Sequence, residues 1–345
     1  MVELAPLPLV IAANLFVGKP WAQSGATLVA GSAVAAVAVF GLADLAGLPV
    51  LSPALGAQAR FALDAGQVVT AVAAAGFLLR PIRRDVAMFA PIDPDHPVHT
   101  LALVLATLLL GTQVTSIVFT DVLAADLSQP PLSLLDLLTD MLPLLIVGVA
   151  GVGLFVRRDI ATAAGRLGLV RPRWWHIVLA LAAAGVFLAL GQASDVLSQS
   201  FSPDLARRVA TTTHHVFGAL NNPLGIAALA LLPGICEEVL FRGALQPRLG
   251  LLATAVLFTS VHTEYGLSFD TVAVLVLALG LGLIRKYANT TASCFCHASY
   301  NLLVGIGLAG AMLNVVYGTA VLLVAVAAYA VWSDRRNRVQ APAGD

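Results

Sequence analysis

Residues 287–333 read YANTTASCFCHASYNLLVGIGLAGAMLNVVYGTAVLLVAVAAYAVWS, with no Asp, Glu, Lys or Arg in the run. A helix crossing a bilayer needs about 20 mostly apolar residues, so this stretch has room for two spans. Charge-free runs recur at Pro20–Ala43, His96–Thr120, Trp174–Ser194 and His214–Cys236. None alternates polar and apolar residues as a membrane β-strand does. Of the 345 residues 59% are hydrophobic and 11% charged, against about 25% charged in soluble domains. The expected fold is therefore all-α, a polytopic transmembrane helical bundle. Its many Ala and Gly residues suit close helix packing in lipid.

Spans are expected near residues 4–18, 24–47, 61–79, 98–120, 138–156, 176–195, 223–246, 249–265, 267–284, 291–312 and 314–332, ten or eleven in all because the first is short. The formal net charge is zero, but its distribution is one-sided. If the spans alternate, Lys19, the Arg80–Arg84 group, the arginines from Arg157 to Arg173, Arg248, Arg285 with Lys286, and Arg335–Arg338 all fall on one side. The positive-inside rule makes that side the cytoplasm and puts the C-terminus inside. Arg60, Arg207 and Arg208 fall opposite. Residues 1–18 lack a basic leader and are read as a first helix of the mature chain. Three Cys without framework spacing imply no disulfide scaffold. Nucleic acid is not an expected partner, whereas membrane lipid is.

Two amphipathic stretches should lie outside the spans. Gly165–Trp175 (GRLGLVRPRWW) combines a basic face with Pro172 and two Trp, as an interfacial anchor does. The loop from Ser198 to Asn222 carries Arg207, Arg208, His214 and His215 and suits a second surface helix.

Ionisable groups inside spans are costly, so each poses a functional question. The run Gly234-Ile235-Cys236-Glu237-Glu238-Val239-Leu240-Phe241-Arg242 puts two acids and one base into an apolar helix. Glu238 and Arg242 are four apart and can pair on one face. Glu237, turned about 100° away, is left for chemistry. Phe258 with His262, and His297 with Asn301, are also i,i+4 pairs on later helices. At about 1.5 Å per residue, Glu237, His262 and Asn301 would come to similar depths.

These three motifs, EExxxR, FxxxH and HxxxN in order, resemble those of the CPBP family of intramembrane proteases, the CAAX-protease and bacteriocin-processing group that includes the type II CAAX prenyl endopeptidases. The resemblance extends over about residues 165–312 and includes Leu167–Trp175 (LGLVRPRWW). It implies a division into N-terminal helices 1–160 of unassigned role, a catalytic core 161–312, and a last helix with a basic cytoplasmic tail, 313–345. It also implies an endopeptidase acting on a membrane-anchored peptide or protein. Glu237 and His262 would activate water, His297 and Asn301 would form the oxyanion site, and Glu238, Arg242 and Phe258 would support them. The expected site needs no cofactor. The alternative is zinc held by Glu237, His262 and His297, a two-His, one-carboxylate set, although HExxH is absent. Rival readings are a transporter or proton relay, with Pro233-Gly234 breaking a helix at a binding site, and a non-catalytic scaffold or immunity protein. Prenylated CAAX ends, bacteriocin leaders and other membrane-anchored peptides are all open as substrates; a composition rich in Arg and Ala points to a GC-rich bacterial genome, and hence to the inner membrane, and disfavours the prenylated ones.

Overall fold

The computed structural model describes residues 4–48 and 56–340, except for the side chains of 334–340, and among the described residues helices are joined by turns and short loops, with no β-strand. The N-terminal part comprises α1 (Pro6–Phe16), α2 (Ala22–Leu45), α3 (Ala57–Gly76), α4 (Arg80–Ala87), α5 (Pro97–Phe119), α6 (Val122–Ser128), α7 (Leu134–Gly151) and α8 (Ile160–Leu167). The remainder comprises α9 (Trp174–Phe201), α10 (Pro203–Phe217), α11 (Pro223–Glu237), a π-helical segment Glu238–Leu245, α12 (Gln246–Leu249), α13 (Leu251–Ser260), α14 (Phe269–Tyr287), α15 (Thr290–Ile306) and α16 (Gly310–Gln340). The basic residues Arg335, Arg336 and Arg338 have side chains outside the described set, as do residues 341–345.

Every expected span overlaps a helix, although by length and composition alone not every one of them would cross a bilayer. Six helices are long and apolar enough to cross a bilayer: α2, α5, α7, α9, the continuous rod Pro223–Leu249, and α16. A seventh results if α3 and α4, which meet at 80°, form one broken span. At about 1.5 Å per residue, ten-residue α13 covers only half of a hydrocarbon core. The 19-residue α14 has Asp270 in its first turn and Arg285 and Lys286 in its last, and 17-residue α15 is shorter still. Each buries one side against its neighbours and leaves the other exposed, as Leu252, Val276 and Phe295 show. Phe241, Phe258, Leu281 and Cys296 lie together in their shared core with Phe187 of α9.

The 80° bend has a local cause. Pro81 has no N–H to offer the carbonyl four residues back, Phe77. Arg83, only 2% exposed, supplies the missing donor from Nη1 at 2.8 Å and reaches Leu78 O at 2.8 Å and Pro94 O at 2.7 Å. Around it the N-terminal helices close on small side chains, with Ala13, Ala30 and Ala74 buried against Leu101 and Val104.

The surface stretches are placed as follows. Residues 203–217 form α10 as expected, and His215 Nε2 sits 2.8 Å from Gln129 O. The helix of this region is α8, which begins five residues before the Gly165–Trp175 stretch. It stops at Gly168, whose φ of 74° ends it in the left-handed region. The following loop then docks on the start of α15: Thr290 N donates to Gly168 O at 3.0 Å and Thr291 Oγ1 to Val170 O at 2.9 Å.

Candidate active site

The site is built where α11 and α15 run antiparallel in close contact. A Cβ on Gly234 would sit 2.8 Å from Ala298 N and 2.9 Å from its Cα, so only glycine permits this approach. It sets Glu238 level with His297 and Pro233 level with Asn301.

Glu238 is fully buried and fully engaged. Its Oε1 lies 3.1 Å from Arg242 Nη1 and 3.1 Å from His297 Nδ1, and its Oε2 accepts from Ser293 Oγ. The Arg242 contact is an ion pair by distance, yet Nη1 has no aligned hydrogen bond. The aligned guanidinium bond runs from Nη2 to Ala278 O at 3.3 Å. The guanidinium also stands 4.1 Å from the Phe258 ring centroid, a cation–π contact in a dry setting.

Glu237, next in the chain, is the opposite case. It is 7% exposed, and its Oε2 is buried without any hydrogen-bond partner. A buried polar atom left unsatisfied calls for an explanation. No hydrogen bond joins Glu237 to His262, His297 or Asn301 among the described residues.

Both imidazoles are oriented through Nδ1. His262 follows the end of α13 rather than lying on it, with φ −93° and ψ 65°, which corrects its expected place in a helical span 249–265. Its ring still folds back to Phe258, with Nδ1 2.8 Å from Phe258 O. A carbonyl only accepts, so Nδ1 carries the proton and Nε2 presents a lone pair in the neutral ring. His297 donates from Nδ1 to Glu238 in the same manner. Phe258, 1% exposed, lies between the two imidazoles, at 4.5 Å from the His262 ring and 5.9 Å from the His297 ring.

Asn301 Nδ2 donates to Leu229 O at 3.2 Å. That carbonyl lacks its normal helical partner because the residue four along is Pro233. The amide keeps a second N–H for other use.

Sequence reasoning had not singled out Ser293. It lies one turn before His297 on the same face of α15, and that spacing was the available signal. The third proline is Pro247. Gln246 N bonds back to Phe241 O, so the Arg242 and Gly243 carbonyls cannot use the missing Pro247 N–H. Arg285 Nε and Arg166 Nη1 take them, each at 3.3 Å.

Zinc would need Glu237, His262 and His297 around one point. Among the described residues no three His, Cys, Asp or Glu are gathered in that way. As arranged, these residues do not fit a zinc centre, even though an Nδ1-anchored imidazole is a common zinc-ligand pattern. A cavity of about 700 Å³ opens nearby between α9, α10, α14 and α15, reaching Tyr265 and Tyr300. None of the four expected catalytic residues lines it.

Fold and site together define a polytopic helical membrane protein whose buried polar centre combines a free carboxylate with two positioned imidazoles and an amide. Residues 219–303 match the family described as type II CAAX prenyl endopeptidase Rce1-like, and this segment contains all three motifs. This portion of the chain is thus of the CAAX-protease type. Comparison with curated proteins and with solved structures found no match.

Proposed function

We propose that the protein is an intramembrane endopeptidase in which Glu237 is the general base. The observation that carries this reading is the buried, unpartnered Oε2 of Glu237 beside a Glu238 whose oxygens are all committed. Glu237 takes a proton from water as the oxygen attacks the scissile carbonyl carbon, and the same proton passes to the leaving amine when the C–N bond breaks. The lone pair on His262 Nε2 accepts from the attacking water and orients it. Asn301 offers its second N–H to the oxyanion. His297, whose Nδ1 is engaged by Glu238, can donate to the oxyanion from Nε2 only as the doubly protonated ring. Metal-free water activation follows from this donor and acceptor inventory.

The substrate class is a membrane-anchored peptide or protein, and the chain lies in a bacterial inner membrane with its C-terminus on the cytoplasmic side. Support for that orientation comes from the arginine distribution. Purified protein should cleave a membrane-anchored fluorogenic peptide before and after treatment with a chelator. Stoichiometric zinc, with activity lost on chelation and regained on zinc addition, would replace this mechanism with a metal-dependent one. Failure to cleave any membrane-anchored peptide would favour a transporter or scaffold.

A further inference from the structure

At the end of the bundle where α12 meets the N-terminal helices, five arginines gather without an acid to neutralise them. Arg166 and Arg285 reach the consecutive carbonyls of Gly243 and Arg242. Arg248 donates from Nη1 to Pro91 O at 3.3 Å, while its Nε is buried with no partner. Arg157 donates to Asn14 Oδ1 at 2.8 Å, and Arg158 to Val152 O. All five are half-buried, and among the described residues none pairs with a carboxylate. Burial, together with the charges of Arg248, Arg158, Arg285 and Arg157, draws Arg166 down to about 10.

His99 adds neutral donor capacity. Its Nδ1 accepts from Asp93 N at 2.9 Å, which fixes the proton on Nε2. His96, stacked on it at 4.2 Å, accepts from Val98 N through Nδ1 and is fixed in the same tautomer. The charges of Arg248 and Arg166 act on His99, and Asp93 is the acid beside the pair.

Half-buried like charges held together by carbonyls alone destabilise the fold through repulsion and lost hydration. A polyanionic oxygen ligand would reverse both costs, and guanidinium forks match phosphate geometry. We infer that Arg157, Arg158, Arg166, Arg248 and Arg285, with His99, form a binding site for a phosphate group that bridges the N-terminal helices and the core. The donors come from both parts: Arg157, Arg158 and His99 from the first, Arg248 and Arg285 from the second, and Arg166 from the α8 connection. The phosphate would come from an anionic lipid headgroup or from free inorganic phosphate. Either source gives helices 1–160 a role in holding the core in place.

The test compares full-length wild type with R166Q/R248Q, using native mass spectrometry for phosphatidylglycerol retention and a melting curve with added inorganic phosphate. R84Q/R207Q removes two exposed charges outside the cluster and serves as the control. Wild type and control should retain phosphatidylglycerol, and R166Q/R248Q should retain it roughly tenfold less. A melting temperature raised by inorganic phosphate in wild type, but not in R166Q/R248Q, identifies the free anion as the source and equally supports the site. If the glutamine pair does not fold, R166K/R248K keeps the charge but loses the fork and should retain several-fold less lipid. Equal retention by cluster variants and wild type with no selective phosphate response, or equal loss in the control, overturns the site.

Discussion

Adjacent glutamates in one buried segment have separate duties. Glu238 accepts from a serine and lies against a guanidinium and an imidazole, so removing either charge partner strands the other in an apolar setting. Such losses typically cost about 3–5 kcal/mol. Arg242→Ala is expected to lower the melting temperature and the yield of folded protein, measured by differential scanning fluorimetry in detergent. His297→Ala should reduce turnover by about 10²–10³, the usual cost of one oxyanion donor, as read from kcat on a membrane-anchored peptide. The Glu238–Arg242 pair was legible from its i,i+4 spacing alone. The bond from Glu238 to His297 was not, because the residues are 59 positions apart and only the Gly234–Ala298 contact brings them level.

At the scale of elements, three prolines decide which side chains bridge helices. Pro81, Pro233 and Pro247 each deprive the carbonyl four residues back of a donor, and Arg83, Asn301 and Arg166 fill the vacancies. A proline in a membrane helix thus selects a partner as well as interrupting a ladder. Pro233→Ala would restore an N–H to Leu229 O and release Asn301. We expect an unchanged or higher melting temperature with turnover lower by about 10²-fold, as for small misplacements of catalytic groups. Unchanged turnover would show that the Leu229 contact does not position Asn301. Gly234→Ala should be costlier, since the added methyl meets the α15 backbone. Overpacking of this kind typically costs about 1–3 kcal/mol, visible as a lower melting temperature. The helices themselves were readable from apolar run length. Their ends were less so: α13 stops at Ser260 and His262 leaves the helix, although FxxxH reads as helical spacing.

For the whole molecule, the span count was the least legible feature. Apolar runs of similar hydropathy end up in helices of very different length, from ten-residue α13 to 28-residue α9. Orientation rests on the arginine series, so a reporter fused after Asp345 should be active only where cytoplasmic folding is required. Activity of a periplasm-dependent reporter would invert the assignment. The central claim is that a buried carboxylate with no structural employment performs hydrolysis. The most direct measurement is cleavage of a membrane-anchored fluorogenic peptide by purified wild type and Glu237→Gln, with melting curves run alongside. Gln retains the shape of the side chain and removes its basicity. The expected result is abolished cleavage at an essentially unchanged melting temperature. Cleavage by Glu237→Gln at the wild-type rate would contradict the account and remove Glu237 as the base.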